Sequence, residues 1–146
     1  MRYTIVVLFT LFFAGCDIQN EIIYPGPVTL PLRVSLRAGQ SVRLSQLGFR
    51  ATFDSVTSDS RCPAGAVCVW EGDGATRLSI VMDPGPAVTC TLHTTLTPQL
   101  VVVDGLTVRL NELDPYPKIG TAIYPAAYVA VLEIDRYWIR KAHTPL

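Results

Sequence analysis

The chain has 146 residues and a formal net charge of zero, with 12 Lys and Arg against 12 Asp and Glu. That balance gives no basic field for nucleic acid and no acidic tail. Eleven Pro and ten Gly punctuate the chain too often for long helices, and its length suits one domain with its own core.

Arg2 supplies a minimal positive start, and Tyr3 to Phe13 is apolar apart from Thr4 and Thr10. The run is too short for a spanning helix and has the length of a secretory h-region. Ala14 and Gly15 are the small residues a signal peptidase needs, and Cys16 follows them. This small-small-Cys ending resembles the lipobox of bacterial lipoproteins, with Phe13 where Leu is commoner. The resemblance implies a cleaved leader over residues 1–15 and a lipid on the Cys16 sulfur with an acylated amine. Two acyl-chain signals on one residue suffice for stable anchoring. It also implies residence in the bacterial cell envelope, at a membrane, with the domain facing the periplasm or the exterior. An ordinary secretory signal with a chance cysteine is the competing reading. Loss of the leader would remove Arg2 and bring the net charge to −1, and lipidation of Cys16 would leave three cysteines, an odd number, in a compartment that permits disulfides.

Residues 16–27 read as the lipidated cysteine and a tether, polar at first and then Tyr24-Pro25-Gly26-Pro27, without a period. Fully extended, it reaches about 35 Å at roughly 3.3 Å per residue. A β-sandwich domain is expected over residues 28–146. Leu30, Leu32, Val34 and Leu36 alternate with Pro31, Arg33, Ser35 and Arg37, and Ala38-Gly39-Gln40 turns the chain. Val42 and Leu44, then Phe49, Ala51 and Phe53, keep the same period of two. Residues 75–82, 87–94, 99–103 and 106–112 follow suit. Asp104-Gly105 is a two-residue hairpin signal. Ala127 to Ile134 is apolar on both faces until Glu133, as in a central strand. About eight short strands predict an antiparallel sandwich or partly open barrel.

Cys62 and Cys68 flank Pro63 and Gly65, and their spacing can close a small disulfide loop, with Trp70 near enough to cover the sulfurs. The loop-entropy model gives about 2 kcal/mol for so short a ring. The stretch Asp59-Ser60-Arg61-Cys62-Pro63, then Cys68-Val69-Trp70 and Gly72, resembles a motif in a family of small secreted and lipid-anchored bacterial proteins, with Glu71 where Ala is more usual. Leu36 to Gln40 and Pro115-Tyr116-Pro117 extend the resemblance over residues 30–135, and no activity comes with it. Cys90 shares a strand parity with Val88 and Leu92 and is expected as a small buried hydrophobe. Its pairing with Cys62 or Cys68 is the alternative.

Catalytic and metal chemistry find little support. His93, on a polar strand face, and His143, in the tail, are the only near-neutral bases, and no Gly-x-Ser-x-Gly elbow accompanies them. Cys62, Cys68 and His93 lack zinc spacing, and Asp59, Glu71 and Asp73 do not match an EF-hand. No metal and no cofactor is expected. Trp70, Tyr116, Tyr124 and Trp138 could form a platform for a sugar or peptide. The favoured expectation is Trp70 and Tyr128 in the core, with Tyr116 and Tyr124 capping Pro-rich turns. Tyr137 to Lys141 suits a last strand or a membrane surface.

The expected function is therefore a non-enzymatic binding or structural module on a lipid anchor. The membrane is one partner, and an envelope protein or glycan is the other. The loops at 59–74 and 113–126 are the expected contact surface, with Arg61, Trp70, Glu71 and Asp73 as candidate contacts. Inhibition of an envelope or host hydrolase, with the cysteine loop as wedge, is the alternative. An enzyme built on His93 and nearby carboxylates is the third class.

Overall fold

A computed structural model describes residues 20–137; the leader, Cys16, Trp138 and His143 lie outside the described residues. Among the described residues there are nine strands: β1 (Glu21–Tyr24), β2 (Leu32–Arg37), β3 (Ser41–Leu44), β4 (Phe49–Asp59), β5 (Gly74–Met82), β6 (Ala87–His93), β7 (Leu100–Val103), β8 (Leu106–Asp114) and β9 (Val129–Arg136). They make two sheets, ordered β1-β3-β4-β5-β6 and β2-β9-β8-β7. This is the expected sandwich, and it is not closed into a barrel. Among the described residues, no helix is long and apolar enough to cross a membrane.

The core lies where the period of two places it. Val34 and Leu36 of β2, Phe49, Ala51 and Phe53 of β4, Leu78 and Ile80 of β5, and Leu132 and Ile134 of β9 are buried between the sheets. Leu92 is fully buried on β6, and Cys90 on the same parity packs against the core as a free thiol. Val88, further along that strand, is exposed.

The turns follow from local chemistry. Gly39 takes a positive φ of 81°, and Gln40 closes the β2–β3 turn by donating its N–H to the Arg37 carbonyl, while its side-chain oxygen accepts from the Arg37 N–H. Asp104 and Gly105 both take positive φ between β7 and β8, as a two-residue turn of the primed type requires.

One expectation is corrected, and another, the central place of β9, holds with one face buried. Residues 21–24, read as part of a tether, form β1, which pairs in parallel with β3. Glu21 fixes that edge by accepting from Arg43 Nε at 3.2 Å, with Arg50 Nε 3.3 Å away. Glu21-Ile22-Ile23-Tyr24 has no alternation of apolar and polar residues to mark it as a strand. β9 is central in its sheet, between β2 and β8, but it buries one face only. Ala130, Leu132 and Ile134 point inward, and Val129 and Val131 are half-buried on the outer face.

Candidate functional site

Strand directions gather five segments at one end of the sandwich. β4 runs toward Asp59, where the 60–73 connector begins, and β5 starts at Gly74 opposite Asp59. β6 ends at His93 opposite Ala75, so the 94–99 loop is at the same end. β8 ends at Asp114 opposite Val129, which adds the 115–128 connection. The β2–β3 turn joins it, because Ala38 donates to the Tyr128 carbonyl. Asn20 belongs to this end too, since its carbonyl accepts from Ser41 N–H at the start of β3.

A buried ion pair braces the connector. Arg61 donates from Nε and Nη2 to the two Asp59 carboxylate oxygens at 2.9 and 2.7 Å. Its remaining donors reach across to the other sheet, to the carbonyls of Leu113 and, at 3.0 Å, Pro115. The guanidinium lies 5.1 Å from the Tyr116 ring centroid, in cation–π contact. Tyr128 donates its hydroxyl to Asp59 at 3.0 Å. The Arg61 and Asp59 side chains are only 5% and 10% exposed. Burial pushes the Asp59 carboxyl up, but hydrogen bonds from Arg61 and Tyr128 outweigh it and hold the group below the usual carboxylate range.

A second bracket is centred on Asp73. Its Oδ1 accepts from the Thr95 and Leu96 backbone N–H groups at 3.0 and 3.2 Å, and from the Thr94 hydroxyl at 3.3 Å. Its Oδ2 is 2.6 Å from His93 Nδ1. Burial raises this carboxyl as well, and the bonds from His93, Thr95 and Leu96 reverse the shift. The 94–96 turn is thus tied to the connector through one carboxylate. His93 is part-buried and paired with Asp73 rather than isolated on an open face. The pair fixes the orientation of the imidazole against the 60–73 connector.

The connector itself is pinned at both ends. Ser60 N–H donates to the Asp73 carbonyl at 2.7 Å, and Cys62 N–H to the Glu71 carbonyl at 2.8 Å. Gly72, at φ +76°, lies so close to Ser60 that a Cβ would stand 2.0 Å from its carbonyl oxygen. Cys62 and Cys68 are disulfide-bonded. Ala64 pairs with Lys118 and donates to the Pro117 carbonyl at 2.8 Å, so the ring rests on the 115–128 connection.

Polarity at this end is inverted. Arg61 and Asp73, expected as contacts, have buried side chains that hold the loops together. Trp70 and Glu71 face solvent. Trp70 is 57% exposed, which corrects its expected place in the core; Tyr128 is buried there as expected. The reason is the tight Ser60–Gly72 approach, which makes the intervening residues loop outward. Val67 and Val69 are fully exposed, and Ile119, Tyr116 and Tyr124 are exposed on the adjoining connection. Sequence reasoning missed Val67, Val69 and Ile119. The available signal was two valines flanking a cysteine in a ring too small to bury them.

A cleft of about 340 Å³ opens beside the brace, between Arg61, Glu71, Thr95, Glu112 and Tyr116. A larger one of about 410 Å³ lies at the opposite end, between Leu47, Leu106 and Arg136, away from the braced loops. Among the described residues, no group of three metal-ligating side chains comes together. No family model, curated protein or solved structure matches this chain.

Proposed function

We propose that the protein is a bacterial lipoprotein, anchored through Cys16, whose sandwich serves as a non-enzymatic binding module with the braced loop end as its working surface. One observation carries the reading. Val67, Val69 and Trp70 stand exposed on a connector fixed by a disulfide, a buried ion pair and the Asp73 bracket. Exposed apolar groups on a rigid scaffold favour binding, because little conformational entropy is lost on contact. Both carboxylates near His93 and Arg61 are occupied by structural hydrogen bonds, which supports a binding role over catalysis.

Cys16→Ala tests the anchor. Lipidation and the associated cleavage should stop, so the intact mass should rise to that of the precursor. An unchanged mass and membrane fraction would refute it. Val67→Asp with Trp70→Ala tests the surface: capture of envelope components by the purified folded domain should fall while the melting temperature stays constant. The alternative, a hydrolase inhibitor, draws on the same exposed ring as a wedge. It would show as inhibition of envelope hydrolases by the folded domain that the same pair of substitutions removes.

A further inference from the structure

We infer that the exposed ring is a lipid-contacting tip that seats this end of the sandwich on the bilayer carrying the anchor. The inference rests on the lipoprotein reading and adds an orientation to it. Its starting point is strand direction. β1 runs parallel to β3 and antiparallel to β4, so the chain enters the sheet from the end toward which β4 delivers the ring. Only three residues lie between Cys16 and Asn20, and those four steps span at most about 13 Å.

The loop end projects further than that. Ser41, beside Asn20, is level with Thr52, and Thr52 pairs with Ser79. From Ser79 to Gly74 the strand advances about 17 Å at roughly 3.3 Å per residue, before the ring is reached. With the strands upright, a Cys16 held in the bilayer surface therefore draws the ring to or below that surface. The excess is about 4 Å at Gly74, and the ring adds to it, toward the shallow depth of about 5–10 Å at which interfacial segments lie.

The side chains there fit such a site. Val67 and Val69 have no protein neighbours to cover them, and Ile119 extends the apolar tip, near the Cβ position of Gly65. Trp70 on the connector and Tyr116 and Tyr124 on the adjoining connection are exposed, aromatics of the kind that settle at headgroup level. Lys118 and Glu71 put both signs of charge beside the tip, so apolar burial rather than an anionic surface drives the contact. β9 leaves the sandwich at the other end, where Tyr137 donates to the Gly105 carbonyl.

Quenching of Trp70 decides the matter. The mature protein is purified from its membrane, its mass is measured, and it is reconstituted in phosphatidylcholine vesicles with plain or brominated acyl chains. The difference in emission between the native chain and Trp70→Phe belongs to Trp70. That difference should be blue-shifted and quenched by bromine, and Val67→Asp with Val69→Asp should abolish the quenching without lowering the melting temperature. A lipidated protein whose Trp70 emission ignores bromine overturns the seated tip, leaves the anchor standing and returns the ring to a protein partner. A mass without lipid removes the anchor and the inference with it.

Discussion

Asp59→Asn separates the buried brace from an ordinary surface ion pair. The substitution removes the charge opposite Arg61 while keeping nearly the same shape. In the folded protein Asp59 accepts from Arg61 Nε, Nη2 and backbone N–H, and from the Tyr128 hydroxyl. An amide retains one acceptor oxygen and turns its NH2 toward donors. The guanidinium, 5% exposed at its side chain, is left without its counter-charge. Breaking a buried pair by deleting one partner costs about 3–5 kcal/mol, because the remaining charge stays desolvated. Against a total stability of roughly 5–15 kcal/mol that is a large share. For a domain of this size it lowers the melting temperature by about 10–20 °C. Urea unfolding followed by circular dichroism, with the disulfide verified by mass, reads the change directly. Arg33→Ala is the internal control, since Arg33 pairs with Glu133 at 2.7 Å but is 68% exposed. Its stability should match the native chain. Equal melts for the two variants would refute the claim that burial, rather than pairing, gives the Asp59–Arg61 contact its weight.

Gly72→Ala should cost about 3–5 kcal/mol, because its Cβ meets the Ser60 carbonyl at 2.0 Å, whereas Gly105→Ala should cost only about 1–2 kcal/mol of left-handed strain, with nothing within 4 Å of its Cβ. Urea melts of the pair compare the two, and similar costs would remove the close approach as the cause. Asp59 and Asp73 have folded pKa values below their unfolded value of 3.8, so their stabilisation is complete above about pH 5 and is lost as pH falls through about 4 toward the folded values. A melting temperature that is flat between about pH 5 and 3 would contradict this. Alkylation of the mature chain under denaturing, non-reducing conditions should modify Cys90 alone; in the native state it should react slowly, because burial, with Asp54 nearby, pushes its thiol pKa up. Three modified thiols would mean that Cys62 and Cys68 are not bonded.

The sandwich was legible because its strands bury one face, so Leu36, Phe53, Leu78 and Leu132 report their positions through a period of two. β1 was not, because its place depends on Glu21 meeting Arg43 and Arg50 from other strands. The ring closure could be read from cysteine spacing, and Cys90 from its strand parity. At the braced end, burial runs opposite to expectation: Arg61 and Asp73 are buried, and Trp70 is exposed. Polar side chains in a loop suggest contact with water or a partner, and apolar ones suggest burial. A long connector inverts that expectation. Residues 60–73 must satisfy their own backbone and those of two neighbouring loops, and Arg61 and Asp73 supply much of what is needed, with Asp59 pairing Arg61 and Ser60, Thr94 and Gln99 adding further bonds. Once these polar groups turn inward and Gly72 closes against Ser60, the ring between them has no interior left to face. Val67 and Val69 are therefore exposed as a consequence of the brace, and the polar residues that most resemble contacts are the ones that hold the exposed apolar tip in place.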